Sequence, residues 1–246
     1  MITFSGSVNI KQIGHAIIHL DKYNEDYLIP LPHVRVSGLL TGTPYPELTG
    51  SYQIVSSTGY VAEIDFTGKK MFGLSGKKNQ FHAGLYKQSD EKRKDPLYEA
   101  EGSWNEEFTI RDTTNKKDIE TFNTNNQKPT KLVVPPLEQQ DPWESRRAWA
   151  GVIDALNHGN MQATSDAKSK VEKAQREMRK KEEASNQTWK PKFFVKTDRD
   201  ETFQKLAAVT HGQHEEDQAH GFWKFNLQEF QNAQKPYHGE LRPDQA

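Results

Sequence analysis

Tyr52-Gln53-Ile54-Val55-Ser56-Ser57-Thr58-Gly59-Tyr60-Val61-Ala62-Glu63-Ile64-Asp65-Phe66 reads as two strands folded about a Ser-Thr-Gly turn. Val61, Glu63 and Asp65 alternate with Ala62, Ile64 and Phe66, the period of two that sends successive side chains to opposite faces of a sheet. Two short apolar runs joined by three turn residues that include glycine form a hairpin. Further strands are expected on both sides. Val8 to Leu20 reads as one long extended run with Ile10, Gln12, Gly14, Ala16 and Ile18 on one face, followed by a turn at Tyr23 to Asp26 and by Val34 to Val36 running on into Leu39-Leu40. Downstream, Phe81 to Lys87, Pro96 to Trp104, Phe108 to Asp112 and Ile119 to Phe122 are separated by polar turns. Strands joined by short turns make an antiparallel meander, because parallel neighbours need long crossovers. A long meander tends to curl toward closure, which removes exposed edges.

The period changes after the Pro-containing connector Lys128 to Pro136. Pro142 to His158 is expected to be a helix, with Asp141 as N-cap, Pro142 in the first turn and Gly159 as its end. Ser165 or Asp166 is expected to cap a longer helix running to about Ala184. Its apolar residues, Ala167, Val171, Ala174 and Met178, form only a narrow stripe, so it belongs at a surface. Glu201 to Val209 reads as a short helix, His211 to His220 as a polar loop and Phe222 to Phe230 as an aromatic-rich terminal segment. The expected organisation is α+β and mainly β: an incomplete antiparallel β-barrel or meander over residues 1–134, and a helical C-terminal region of the same domain over 135–246.

Composition narrows the function classes. The 246 residues are 33% hydrophobic and 27% charged, with a net charge of -1. No global basic field is available for nucleic acid, so any anion site must be local. Without cysteine there is no disulfide, thiol catalysis or Cys-ligated zinc. No run of 18 apolar residues marks a membrane span, and Met1 to Lys11 lacks a signal-peptide pattern. Gly73-Leu74-Ser75-Gly76-Lys77-Lys78 fails as a P-loop, because Met71 stands where the first glycine belongs and Lys78 where Ser or Thr belongs. His15 and His19 lie in a strand without an acidic neighbour. His211, His214 and His220 beside Glu215, Glu216 and Asp217 read as a solvated loop. No catalytic set is found, and no cofactor is expected.

Two charged groups stand out. Lys77 and Lys78 follow a glycine turn, which spacing alone reads as a solvated loop. Near anionic lipid, however, each lysine can add roughly 1 kcal/mol. Lys168, Glu172 and Arg176 are four apart on the long helix and so share one face. Alone they read as exposed ion pairs worth about 0.3–0.5 kcal/mol each. They also place two cations about one anion, a pattern able to hold a phosphorylated headgroup.

Several segments, in order, resemble the oxysterol-binding protein family, above all short fungal members that consist of the lipid-binding domain alone. They are Ser56 to Tyr60, Ile64-Asp65-Phe66, Ser75-Gly76-Lys77-Lys78-Asn79 with Phe81, Trp104-Asn105, Leu137-Glu138, Glu144-Ser145-Arg146-Arg147-Ala148-Trp149, Gln175-Arg176-Glu177, Trp189 with Phe193-Phe194, and Phe222-Trp223-Lys224-Phe225. The resemblance covers nearly the whole chain. It implies an incomplete barrel around an apolar tunnel, and a non-enzymatic carrier that exchanges sterol, or phosphatidylserine in some branches, for phosphatidylinositol 4-phosphate between membranes. Lys168, Glu172 and Arg176 match the family's Lys-x3-Glu-x3-Arg headgroup residues, and Lys11 resembles a strand lysine at the tunnel mouth. Lys77 and Lys78 match a signature and are assigned to membrane or phosphate contact. The implied partners are sterol and phosphoinositide lipids and, transiently, membrane surfaces; nucleic acid is not among them. The implied location is cytoplasmic and peripheral to membranes. The family's paired-histidine motif, its Leu-Asn-Pro segment with a headgroup lysine and its N-terminal lid have no counterpart in these residues. The expectation is therefore a chain that starts inside a barrel strand, with a non-transporting interaction or regulatory fragment of the domain as the alternative.

Overall fold

The computed structural model describes residues 1–4, 7–66, 78–210 and 212–237. Twelve strands come first: β1 (Ile2–Phe4), β2 (Val8–Ile10), β3 (His15–Leu20), β4 (Glu25–Pro30), β5 (His33–Ser37), β6 (Tyr45–Thr49), β7 (Ser51–Ser56), β8 (Tyr60–Asp65), β9 (Gln80–Lys87), β10 (Tyr98–Ser103), β11 (Glu107–Asp112) and β12 (Lys117–Asn123). There follow α1 (Ser145–Ala148), α2 (Ala150–Asn157), α3 (Met161–Ala184), β13 (Phe194–Thr197), α4 (Glu201–Ala207), α5 (Glu215–Ala219), β14 (Phe222–Phe225) and α6 (Leu227–Asn232). The described strands pair antiparallel in an eight-stranded sheet of order β12-β11-β10-β9-β8-β7-β4-β3 and a four-stranded sheet of order β1-β2-β5-β6; β13 and β14 form a separate ribbon. Neither large sheet closes, as expected for an open meander followed by helices. The chain forms two compact units, Met1–Pro129 with Thr197–Phe222 and Thr130–Lys196 with Trp223–Ala246.

The hairpin of residues 52–66 is the β7–β8 pair, with Tyr52 opposite Ile64 and Ile54 opposite Ala62. Gly59 turns it with φ +89, a conformation open to glycine at little cost. The run expected from Val8 to Leu20 instead breaks at Lys11–Gly14, and its halves enter different sheets. Gly14 has φ +132, and its N–H donates to the Asp217 carboxylate at 2.6 Å rather than to a ladder.

In the first unit the core lies where the segment 197–222 covers β3, β4 and β7. Leu28, Val55 and Val61 are fully buried and pack with Phe203, Leu206 and Phe222. The Phe203 ring centroid lies 4.7 Å from that of Phe222 and 4.4 Å from His15. Burying such a ring stabilises by roughly 1.5–3 kcal/mol. Asp200 caps α4 by accepting from the Phe203 N–H at 2.8 Å. The segment is also held by polar bonds. Gln213 accepts from the Gln53 N–H at 2.7 Å and donates to the Gln53 carbonyl at 3.3 Å. The β4–β7 register stops at Leu28 opposite Val55, so this clasp satisfies backbone groups that the β4 ladder leaves.

Residues 212–220 are not the solvated loop expected from their charges; His211 lies outside the described residues. Asp217 is buried and accepts from His214 Nδ1 at 2.6 Å as well as from Gly14. His214 is 3% exposed. Burial of both groups is tolerated because each satisfies the other. His15 Nδ1 stands 3.7 Å from the same carboxylate. Burial lowers the pKa of His15 below 6.5; Asp217 opposes the shift, His214 adds to it and Asp200 opposes it. Between the lowered folded value and 6.5 the unfolded chain binds more protons, so stability falls as pH drops below 6.5 and levels off beneath the folded value. The urea midpoint is therefore expected to be lower at pH 5.5 than at 7.5, with part of the difference absent in His15→Gln. An equal pH slope in both proteins would remove His15 as its source.

In the second unit the expected helix 142–158 is two helices, α1 and α2, broken at Trp149 (φ -97, ψ 4). Asp141 caps a turn rather than a helix: it accepts from the Trp143 N–H at 3.0 Å, while its own N–H donates to Glu144 at 2.8 Å. Its other oxygen accepts from the Tyr237 N–H at 2.7 Å. The long helix starts at Met161, not after Ser165. Asn160, directly behind the left-handed Gly159, accepts from the Ala163 N–H at 3.0 Å and leaves Ser165 and Asp166 inside the helix. α3 packs on α2, and a Cβ at Gly151 would lie 3.7 Å from that of Ala167.

Candidate functional site

The registers of β7 to β12 sort the eight-stranded sheet into two unlike faces. Residues directly opposite in antiparallel strands point the same way. One cross-strand row runs Tyr52, Ile64, Ala83, Ala100, Ile110, and another runs Ile54, Ala62, Leu85, Tyr98. A third runs Phe81, Gly102, Phe108, Phe122. This face is apolar from β7 to β10, and its rows end in Glu120, Asp112 and Lys117 at the β11–β12 edge. The opposite face carries Val55, Val61 and Tyr86, where the core packs, and beyond them Gln53, Glu63, Gly84, Glu99 and Arg111 in one row and Asp65, His82, Glu101, Thr109 and Thr121 in the next. Gln53 donates to Glu63 at 2.6 Å within the polar face.

A chain of rings crosses the apolar face. Centroids are 6.1 Å apart for Tyr52–Phe66, 6.3 Å for Phe66–Phe81, 5.3 Å for Phe81–Phe108 and 5.1 Å for Phe108–Phe122. Gly102 lets the middle of the chain close. It lies between Phe81 and Phe108 with φ +143, and a Cβ there would meet the Glu107 carbonyl oxygen at 2.5 Å and Phe108 Cα at 2.6 Å. All five rings are half-buried, neither packed away nor free in water. Such a face offers dispersion contacts to a flat or extended apolar ligand. Sequence inspection did not assemble these rings, which lie in four strands and a strand end spread over 71 residues; the period-two spacing that aims each to one side is legible only within a strand.

The charged residues selected from sequence fall into separate places. On α3, Lys168 Nζ lies 3.5 Å from Glu172 Oε1, and Arg176 Nη1 lies 3.7 Å from Glu172 Oε2. The three side chains are about half exposed, so the pairs are loose and both cations can turn to an incoming anion. A groove of about 710 Å³ between α2 and α3 is lined by Ala163, Ala167, Lys170 and Val171, not by that row. Lys11, in the other unit, reaches Glu216 at 2.5 Å. Lys78 sits 3.8 Å above the Tyr45 ring. Lys77 lies outside the described residues.

Among the described residues no catalytic set assembles around these groups. Among the described residues no three of His, Asp and Glu are placed to hold a metal. A cavity of about 430 Å³ on the polar face is lined by Gln53, Glu63, His82, Tyr86 and Gln213, among others. There, burial and then Glu63 and Glu99 push the Tyr86 phenol up and keep it protonated. Among the described residues no helix is long and apolar enough to cross a membrane.

A family model described as oxysterol-binding protein matches residues 2–152 and 153–234. The chain is 58% identical over 243 residues to the probable transporter efuK of Hormonema carpetanum, covering 99% of this chain and 35% of that protein. It is 37% identical over 226 residues to the protein kes1 of Schizosaccharomyces pombe, covering 90% of this chain and 56% of that one. The chain thus spans between a third and somewhat over half of the length of these relatives. Its fold is similar to that of the Osh1 ORD domain in complex with cholesterol, with a TM-score of 0.56 and 19% identity over 91% of this chain and 55% of that one. The Osh3 ORD in complex with PI(4)P from Saccharomyces cerevisiae gives a TM-score of 0.56 and 21% identity over 80% of this chain and 54% of that one.

Proposed function

The chain belongs to the oxysterol-binding protein family, and on that footing we propose that it is a non-enzymatic lipid carrier that takes up sterol, in exchange for phosphatidylinositol 4-phosphate, between membranes. The observation that carries this is the apolar, ring-lined face of the eight-stranded sheet, which has the width and chemistry to lie along a sterol or an acyl chain. Similarity of fold to a domain holding cholesterol and to one holding PI(4)P supports both ligands. Likeness to a probable transporter supports carriage rather than storage.

Lys168 and Arg176 are the proposed phosphate ligands, and Glu172 holds them ready or accepts from inositol hydroxyls. Their pairs with Glu172 are long and exposed and so worth little, and a headgroup phosphate offers both cations more negative charge and shorter, charge-assisted bonds. Lys11, Lys77 and Lys78 are proposed as further contacts with the headgroup or the membrane surface. Partitioning between cytosol and membrane surface follows from carriage.

Extraction from liposomes tests the proposal. Purified chain is mixed with vesicles carrying labelled sterol or labelled phosphatidylinositol 4-phosphate, and soluble protein–lipid complex is counted. Near-stoichiometric complex with either lipid is expected. Lys168→Glu and Arg176→Glu are each expected to lower phosphoinositide extraction at least tenfold, about 1.4 kcal/mol, while sterol extraction changes less than twofold. Unchanged phosphoinositide extraction in both variants would reject the headgroup assignment. No extraction of either lipid by the folded chain would favour a binding or regulatory module without transport.

A further inference from the structure

We propose that the outer face of the β13–β14 ribbon, with the start of α6, is a docking surface for an anionic lipid bilayer. Strand alternation puts Phe194 with Lys196 on one face of β13, and Trp223 with Phe225 on one face of β14. The Phe194 and Phe225 ring centroids are 5.6 Å apart, so these are the same face of the ribbon. Phe230 of α6 extends the surface, 5.5 Å from Phe225. On the outer face Phe194 is 50%, Trp223 57% and Phe225 49% exposed. Leu227, Phe230 and Trp189 are similarly open. Contiguous large apolar side chains left in water mark an interaction surface rather than scattered exposure.

The charge around these rings selects the occupant. Residues 186–197 hold Lys190, Lys192 and Lys196 and no carboxylate; residues 223–230 hold Lys224 and Glu229. Strand alternation puts Lys224 on the other side of β14, which leaves three lysines against one glutamate around the outer face, in a chain whose net charge is -1. On α3, by contrast, basic residues interleave with five carboxylates, Asp166, Glu172, Glu177, Glu182 and Glu183. Indole and phenyl rings set among lysines match the headgroup level of a bilayer, where rings enter the interface and ammonium groups meet lipid phosphate. An acidic protein groove would satisfy the lysines but leaves less reason for two exposed tryptophans and a row of phenyl rings. The inference rests on the carrier reading in one respect only, that such a protein must reach a bilayer to load.

Flotation with vesicles of phosphatidylcholine alone, or of phosphatidylcholine with 30 mol% phosphatidylserine, isolates docking, because neither contains sterol or phosphoinositide. The full chain is expected to bind the anionic vesicles at least fivefold better than the neutral ones and to lose that binding in high salt. Lys190→Glu/Lys196→Glu, both exposed and remote from the core, is expected to abolish the preference. Trp223→Ala is expected to weaken binding at least fivefold, and Trp223→Phe to remove most vesicle-induced quenching by brominated lipid while binding persists. Unchanged binding in the lysine and Trp223→Ala variants overturns the proposal. So does self-association of the wild type, without vesicles, that the same variants relieve, because the occupant would then be a second copy. If docking fails while lipid extraction persists, the carrier reading stands and only this surface is lost.

Discussion

Asp217→Ala is expected to lower the stability of the strand unit by about 3–6 kcal/mol, because it removes a buried carboxylate that holds two donors and a hydrogen bond to a charged group is worth about 1.5–3 kcal/mol. The carboxylate accepts from the Gly14 amide and from His214 Nδ1, both at 2.6 Å, and faces His15 at 3.7 Å. Alanine leaves the buried His214 ring and a backbone N–H without an acceptor, and it does so next to Phe203. The consequence is not confined to one bond. The segment 197–222 is held to the sheet by this carboxylate, the Gln213 clasp and the Phe203 cluster. Loosening the first exposes Leu28 and Val55 beneath. Asp217→Asn keeps the shape and one acceptor oxygen and is expected to cost less. Urea unfolding measures both variants, and hydrogen exchange locates the loss. A change below about 1 kcal/mol in Asp217→Ala would mean that the apolar contacts alone hold the segment.

This anchor also shows where sequence ceases to inform. The β7–β8 hairpin was legible because its alternation, its length and Gly59 agree within fifteen residues, and local consistency of that kind is what specifies a strand pair. The break at Gly14 was not legible, because its cause lies 203 residues away in Asp217. In the same way, His214 and Asp217 look solvated beside Glu215 and Glu216, and only packing from β3 and α4 buries them. The start of α3 is a different kind of error. Gly159-Asn160 is a sound stop-and-cap signal, and Ser165 and Asp166 competed with it as equally good caps. For the candidate site the contrast is similar. The spacing of Lys168, Glu172 and Arg176 puts them on one helix face, and the structure joins them through Glu172. The ring chain needed the register of six strands, β7 to β12, before its members could be seen side by side.

Phe108→Asp is expected to abolish lipid extraction, by roughly a hundredfold or more, while the chain stays folded. Phe108 is half-buried between Phe81 and Phe122 on the apolar face, so its loss removes ring contacts worth about 0.5–1.5 kcal/mol each and leaves most of the unit's core untouched. For an apolar ligand lying on that face the change is far larger. The new carboxylate must either lose its water beneath the ligand or hold the ligand away, and an unpaired charge in an apolar contact costs several kcal/mol. A hundredfold loss corresponds to only about 2.7 kcal/mol. Thr121→Asp is the matched control. Thr121 stands beside Phe122 on β12, one position along and therefore on the polar face, opposite Thr109. It adds the same charge to the same region of the sheet and is expected to extract lipid within about twofold of the wild type. Near-ultraviolet circular dichroism and the urea midpoint check that both variants fold. Equal loss in the two would show that the sheet tolerates no added charge and would say nothing for a ligand on one face. Full extraction by folded Phe108→Asp would remove the ring chain from the ligand and place the binding surface elsewhere. Loss in Phe108→Asp alone, for sterol and phosphoinositide together, ties both lipids to the ring-lined face of the sheet.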